Sequence, residues 1–285
     1  MKKQALAALT MLSAGIIAGC GSSGSDTSMS SSMMTPVATS ASVSGAVADG
    51  YLEKATVFLD KNLNYQLDAG EPSAITDQNG AYTLNIDAAD IGKYPIVALA
   101  TQGVTIDKDT NTAVTGSYVL SMHAVAVAPA TGGVSGTVSN FISPMSTQLR
   151  EMMETGSYAT LQQAMDALRT QVGLPAGTNM MSDYIANRNT AMHTAARNMA
   201  TLMGGQAGQV IGTNGTVDVN RYRGMMGTIY SNLPTITGSN AQTNITTLRN
   251  TMNTNLSFIP AGMPFRNYST VYRGGMGMGM GMMWR

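Results

Sequence analysis

Cys20 is the only cysteine in a chain of 285 residues, so no disulfide framework can brace the fold. Stability has to come from burial, with a metal as a possible aid. Charged residues make up only 11%, and 16 Lys and Arg balance 16 Asp and Glu. Without a basic surplus, nothing argues for nucleic acid as a partner. The only two histidines, His123 and His193, lack a ligand neighbour at turn or helical spacing, whereas a zinc site needs three or four N, S or carboxylate ligands. A Ser-His-Asp hydrolase would have to use one of them, yet the chain has no Gly-x-Ser-x-Gly elbow. Phosphate-binding and dinucleotide fingerprints are also missing, and no apolar run spans a bilayer comfortably. The expectation is therefore a protein that is not an enzyme, with an envelope hydrolase as the least favoured alternative.

The chain holds neutral polar residues in quantity and a marked asymmetry. Every Lys lies at or before Lys108, every Arg at or after Arg150, and the acids concentrate between Asp49 and Asp109. This composition divides the chain into two units. Residues 21–40 are mostly Ser, Gly, Thr and Met with one Asp, a tether with nothing to build a core. Residues 41–140 carry strand patterns: Val43–Val47, Ala55–Leu59, Ala81–Ile86, Tyr94–Leu99, Tyr118–Leu120 and Ala124–Val127. Turn residues such as Asp77-Gln-Asn-Gly80 separate them, and strands at this spacing predict a small antiparallel sandwich.

After Pro144 the period becomes helical. Met145, Leu149 and Met152 share one spacing, and Leu161, Ala164 and Leu168 repeat it before Gly173. Asp183 is placed to cap a helix running to Gly204-Gly205, and two more helices are expected over Val219–Asn232 and Ala241–Leu256. These make a helical domain over residues 141–259. Residues 260–285 have no clear period and end in a Gly-Met repeat.

The first twenty residues form a segment of their own. Lys2 and Lys3 precede an apolar stretch from Ala5 to Ala18, which closes in Ile17-Ala-Gly-Cys20. That is the layout of a secretory signal. With the Cys at the junction it resembles a bacterial lipoprotein signal, which implies cleavage before Cys20 and lipid on it. Gly21, where an Asp would favour inner-membrane retention, implies the outer membrane. The expected setting is the bacterial cell envelope, with the membrane contacted through the N-terminal lipid and a further envelope or extracellular partner left unnamed.

The motif that carries chemistry is Asp60-Lys-Asn-Leu-Asn-Tyr-Gln-Leu-Asp-Ala-Gly-Glu71. Oxygen side chains fall at loop positions 1, 3, 5, 9 and 12: Asp60, Asn62, Asn64, Asp68 and Glu71. Gln66 at position 7 offers its backbone carbonyl. Calcium takes six to eight hard oxygens, and alternate residues of a tightly wound loop turn theirs inward, as in an EF-hand loop. Tyr65 stands at position 6, where such loops have Gly, so the sharp turn is expected to be made differently. The loop follows a strand, which favours a structural calcium staple over a sensor. The alternative is a plain polar turn.

The run Val43–Asp60, the loop, and Glu71-Pro-Ser-Ala-Ile-Thr-Asp-Gln-Asn-Gly-Ala-Tyr-Thr-Leu84 resembles the carboxypeptidase-regulatory-like and surface-adhesin B-type sandwiches of prealbumin-like fold. That resemblance implies a non-catalytic spacer or binding module, calcium in the loop, and Asp77 as an added ligand. Phe141-Ile-Ser-Pro-Met-Ser-Thr-Gln-Leu149 with Ala167–Pro175 is similar to the helical segment that follows such sandwiches in secreted bacterial proteins.

Methionine is abundant, with 24 residues. Most sit at helical core spacing and read as core filler. Met276, Met278, Met280, Met282 and Met283 lie between glycines, and their thioethers suit Cu(I). The sequence thus predicts an α+β protein: an N-terminal antiparallel β-sandwich with a C-terminal helical domain, lipid-anchored, stapled by calcium, and structural or adhesive in role. Soft-metal handling by the tail is the alternative.

Overall fold

The clearest strand signal in the chain, Ala81-Tyr-Thr-Leu-Asn-Ile-Asp87, alternates buried and exposed residues along its length. Tyr82, Leu84 and Ile86 enter the core while Thr83 and Asn85 face solvent. There they meet Ser44 and Ser42 of the neighbouring strand in hydrogen bonds of 3.0 and 2.9 Å. This one-sided burial is what a period of two encodes.

The computed structural model describes residues 39–129, 140–213 and 215–258. They hold ten strands: β1 Ser40–Val47, β2 Leu52–Glu53, β3 Thr56–Leu59, β4 Ser73–Ile75, β5 Ala81–Asp87, β6 Ile96–Ala100, β7 Ile106–Asp107, β8 Thr112–Ala113, β9 Tyr118–Met122 and β10 Asn140–Ile142. They also hold seven helices: α1 Pro144–Glu154, α2 Leu161–Val172, α3 Thr190–Gly205, α4 Ala207–Val210, α5 Val219–Ser231, α6 Leu233–Thr237 and α7 Ala241–Ser257. The fold is mixed α+β. Cys20 and the signal segment, nearly all of the tether, and Met276, Met278, Met280, Met282 and Met283 lie outside the described residues.

The strands form three sheets, ordered β10-β1-β5, β4-β3-β6-β9 and β2-β7-β8. Pairing is antiparallel except for β10, which runs parallel to β1 with Gly45 opposite Asn140. A Cβ on Gly45 would lie 1.9 Å from the Asn140 carbonyl oxygen, so only glycine admits this pairing. Strand β9 is buried at all five residues because helices cover its outer edge. Thr147 Oγ1 accepts the Ser121 N–H at 2.8 Å, Ser146 Oγ donates to the Ser121 carbonyl at 2.7 Å, and the Tyr222 hydroxyl donates to the Val119 carbonyl at 3.0 Å. An edge that would otherwise template aggregation is thereby satisfied within the fold.

Helix starts follow capping chemistry. Ser143 and Ser146 form a reciprocal capping box on α1, Thr160 caps α2, and Gly173 closes α2 in the left-handed region at φ 77°. Two expectations require correction. Asn189, not Asp183, caps α3. Asp183 instead accepts the Ile185 and Ala186 N–H groups in a separate turn. Residues 124–126 form a 3-10 turn rather than a strand, since the His123 side chain accepts the Val125 N–H and stops the extended chain. Of the methionines expected at core spacing, Met145, Met152, Met192, Met199, Met203 and Met225 are buried in one hydrophobic cluster that runs through strands and helices alike, and Met165 packs against it half-buried.

Candidate functional site

The loop between β3 and β4 draws its oxygen side chains together. Asp68 Oδ2 is the hub: the amides of Asn62 and Asn64 both donate to it at 2.7 Å. Glu71 closes the loop with both oxygens, accepting the Lys61 N–H at 2.7 Å and the Asp68 N–H at 3.0 Å. The Gln66 N–H bonds Asn64 Oδ1 at 2.8 Å. Lys61 is drawn away by Asp90 at 2.7 Å, which keeps its ammonium out of the loop. Asp77 engages its own turn, accepting the Asn79 and Ala81 N–H groups.

Asp60 differs from the other five residues because it is fully buried. Its Oδ1 accepts the Asn64 N–H at 3.0 Å. Its Oδ2 accepts the Tyr65 N–H at 3.2 Å and pairs with Arg150 Nη2 at 3.1 Å. Among the described residues no three Asp, Glu, His or Cys side chains gather closely enough to hold a metal by themselves. The asparagines must therefore complete any cation shell. Turning either amide end by half a rotation exchanges nitrogen for oxygen at Asp68, at the cost of the Asn64 or Gln66 N–H bond that its oxygen now accepts. The donors are all oxygens, at alternate loop positions from Asp60 to Asp68 and then at Glu71, and one of the three carboxylates already faces a guanidinium. Such a set fits a hard divalent ion better than a soft one.

The sharp turn is made at the position where an EF-hand loop has Gly, but by the tyrosine itself. Tyr65 has φ 64° and Leu63 φ 63°, both in the left-handed region. A left-handed L-residue costs roughly 1–2 kcal/mol. For Tyr65 burial offsets that cost: its ring lies under the Arg150 guanidinium at 4.0 Å and against Tyr222 at 4.7 Å, and its hydroxyl donates to Glu151. The loop is thus pinned to α1 and α5 through one aromatic side chain.

Around that ring lies a buried charge cluster absent from the sequence-level site. Arg150 Nε meets Glu154 at 2.6 Å, and Arg223 meets Glu154 at 2.8 Å and Glu151 at 3.5 Å. Two guanidiniums thus face three carboxyls: Asp60, Glu151 and Glu154. Burial, only partly opposed by Arg150 and Arg223, pushes Glu151 up to about 7. Burial also disfavours charge on Arg150, but Tyr65, Glu154, Glu151 and Asp60 outweigh it and keep the guanidinium protonated. The sequence signal for this cluster was weak. Arg150-Glu151 interrupts the apolar spacing of α1, but that helix is buried on every side from Pro144 to Met152.

Comparison with protein-family models, with curated proteins and with solved structures finds no match for the chain.

Proposed function

We propose that the protein is a lipid-anchored cell-envelope component with a structural or adhesive binding role, whose strand layer is a prealbumin-like sandwich stapled by calcium at Asp60, Asn62, Asn64, Gln66, Asp68 and Glu71. The observation that supports this reading is the convergence of Asn62, Asn64 and Asp68 on one point, with Glu71 tying the loop ends together. Calcium would neutralise carboxylates that otherwise repel one another and would favour the native chain, because the unfolded loop cannot gather its oxygens. The helices add rigidity through Tyr65 and Arg150 rather than chemistry of their own.

The test is calorimetric titration of calcium into wild type and an Asp68→Asn, Glu71→Gln double variant. Asp60 is left intact because it also neutralises the buried Arg150. Saturable binding that the double variant lacks is the expected result. At a hundredfold excess over Kd the ion should add about 2.7 kcal/mol of stability, seen as a rise in Tm. No binding heat and an unchanged melt in saturating calcium would reduce the loop to a polar turn.

A further inference from the structure

A second polar site lies away from the calcium loop. The Ala48–Tyr51 turn brings Asp49 beneath the segment that carries β7 and β8. Gly50 permits the approach: a Cβ there would stand 2.4 Å from Asp107 Oδ1. Opposite, Gly116 lies so close to the C-terminal end of α3 that its Cβ would meet the Gly204 carbonyl at 2.3 Å. Between these walls is a cavity of about 270 Å³ that Asp49, Asp107, Tyr118 and Thr201 help to line, with Arg249 of α7 on its rim. That volume sits just below the roughly 300 Å³ at which ordinary ligand pockets begin, so the occupant must be small.

Two ionisable groups that line this cavity, Asp49 and Arg249, have no ionic partner among the described residues. Asp49 is only 8% exposed, and its Oδ2 accepts the Tyr118 hydroxyl at 2.8 Å. Its Oδ1 is buried without a hydrogen-bond partner. A buried carboxylate oxygen with no donor is costly unless something supplies one. Burial, reinforced by the neighbouring Asp107, raises the Asp49 carboxyl to about 7 against the opposing Tyr118 hydrogen bond. Asp109 does not compete for the same role, because His193 at 2.7 Å and Arg197 at 3.3 Å engage it. Arg249 lies over Gly205, where a Cβ would be 2.8 Å from its Nε, and its guanidinium has no acidic partner among the described residues.

We propose that this cavity binds a small zwitterion of amino-acid to dipeptide size, its ammonium on Asp49 beside Asp107 and its carboxylate on Arg249. An ammonium has the donors that Asp49 Oδ1 lacks, and a guanidinium is the natural fork for a carboxylate. A metal ion alone would answer the carboxylates and leave Arg249 without an anion. A single-charge ligand would leave either Asp49 or Arg249 unanswered.

The test is saturation-transfer NMR and calorimetry on the full chain with L-leucine, glycylglycine and L-alanyl-L-alanine, each against its N-acetylated form. At least one zwitterion should bind with a Kd of about 1 mM or tighter. N-acetylation and Asp49→Asn should each weaken binding by roughly tenfold or more, and Arg249→Gln, an exposed change, by several-fold. Should Asp49→Asn fail to fold, the N-acetyl comparison and Arg249→Gln still decide. Absence of saturable binding by all three probes, or binding indifferent to N-acetylation or to Arg249→Gln, overturns the proposal.

Discussion

Tyr65 and Leu63 form an internal control within one loop. Both are left-handed, at φ 64° and 63°, yet Tyr65 is 1% exposed and Leu63 47%. Glycine relieves roughly 1–2 kcal/mol of strain at either position and costs roughly 0.5–1 kcal/mol in added unfolded-state freedom. Leu63→Gly should therefore be neutral or stabilise by up to about 1.5 kcal/mol. Tyr65→Gly also deletes a buried aromatic side chain, at roughly 3–5 kcal/mol, and its stacking on Arg150, at about 1–2 kcal/mol. The net loss should be about 3–7 kcal/mol. For a chain of this size that lowers Tm by on the order of 10 °C. Paired thermal melts and urea titrations of the two variants measure the difference. If Tyr65→Gly proves as benign as Leu63→Gly, the anchoring of the loop on α1 and α5 is wrong.

Other outcomes follow from the same contacts. Arg150→Met keeps volume but strips the buried Asp60 of its cation and leaves Glu154 with Arg223 alone, and should cost about 3–5 kcal/mol in urea unfolding. Gly45→Ala drives a methyl into the Asn140 carbonyl and should destabilise by more than about 2 kcal/mol, with faster amide exchange in β1 and β10 as the local readout. The pH dependence has a definite sign. Asp49, raised from its usual 3.8 to about 7, binds more protons folded than unfolded between those values. Its contribution is complete below about 4 and is lost as pH rises through about 7, on the order of 4 kcal/mol across the window. Glu151, also about 7, acts in the same direction. Asp49→Asn should flatten this fall in chemical-denaturation curves taken from pH 4 to 8. An unchanged slope would remove Asp49 as its source.

Much of the architecture was legible because it is local. Alternation at Ala81–Ile86 forecast β5, the spacing of Leu161, Ala164 and Leu168 forecast α2, and Gly173 marked its end. Short-range competition misled where two caps were possible. Asp183 and Asn189 both precede the Met192 stripe, and only packing selects between them. His123 halted what looked like a strand by bonding the backbone two residues on. The oxygen spacing of residues 60–71 located the loop, but not the cost or the anchor of its turn. Tyr65 read as a departure from the motif, whereas its ring is what holds the left-handed backbone in place.

Determined by the sequence alone were the period of the longer strands and helices, the oxygen-rich loop and, from a single Cys, the lack of an internal disulfide; the first two depend on residues within a turn or two of one another. Only the tertiary structure decided that Asp60 meets Arg150 across ninety positions of chain, that Tyr65 meets Glu151, and that Asp49, Asp107 and Arg249 border one cavity. Charges so far apart in sequence have no shared period. They come together because burying the apolar faces of strands and helices in one core carries them there, and burial then sets their protonation.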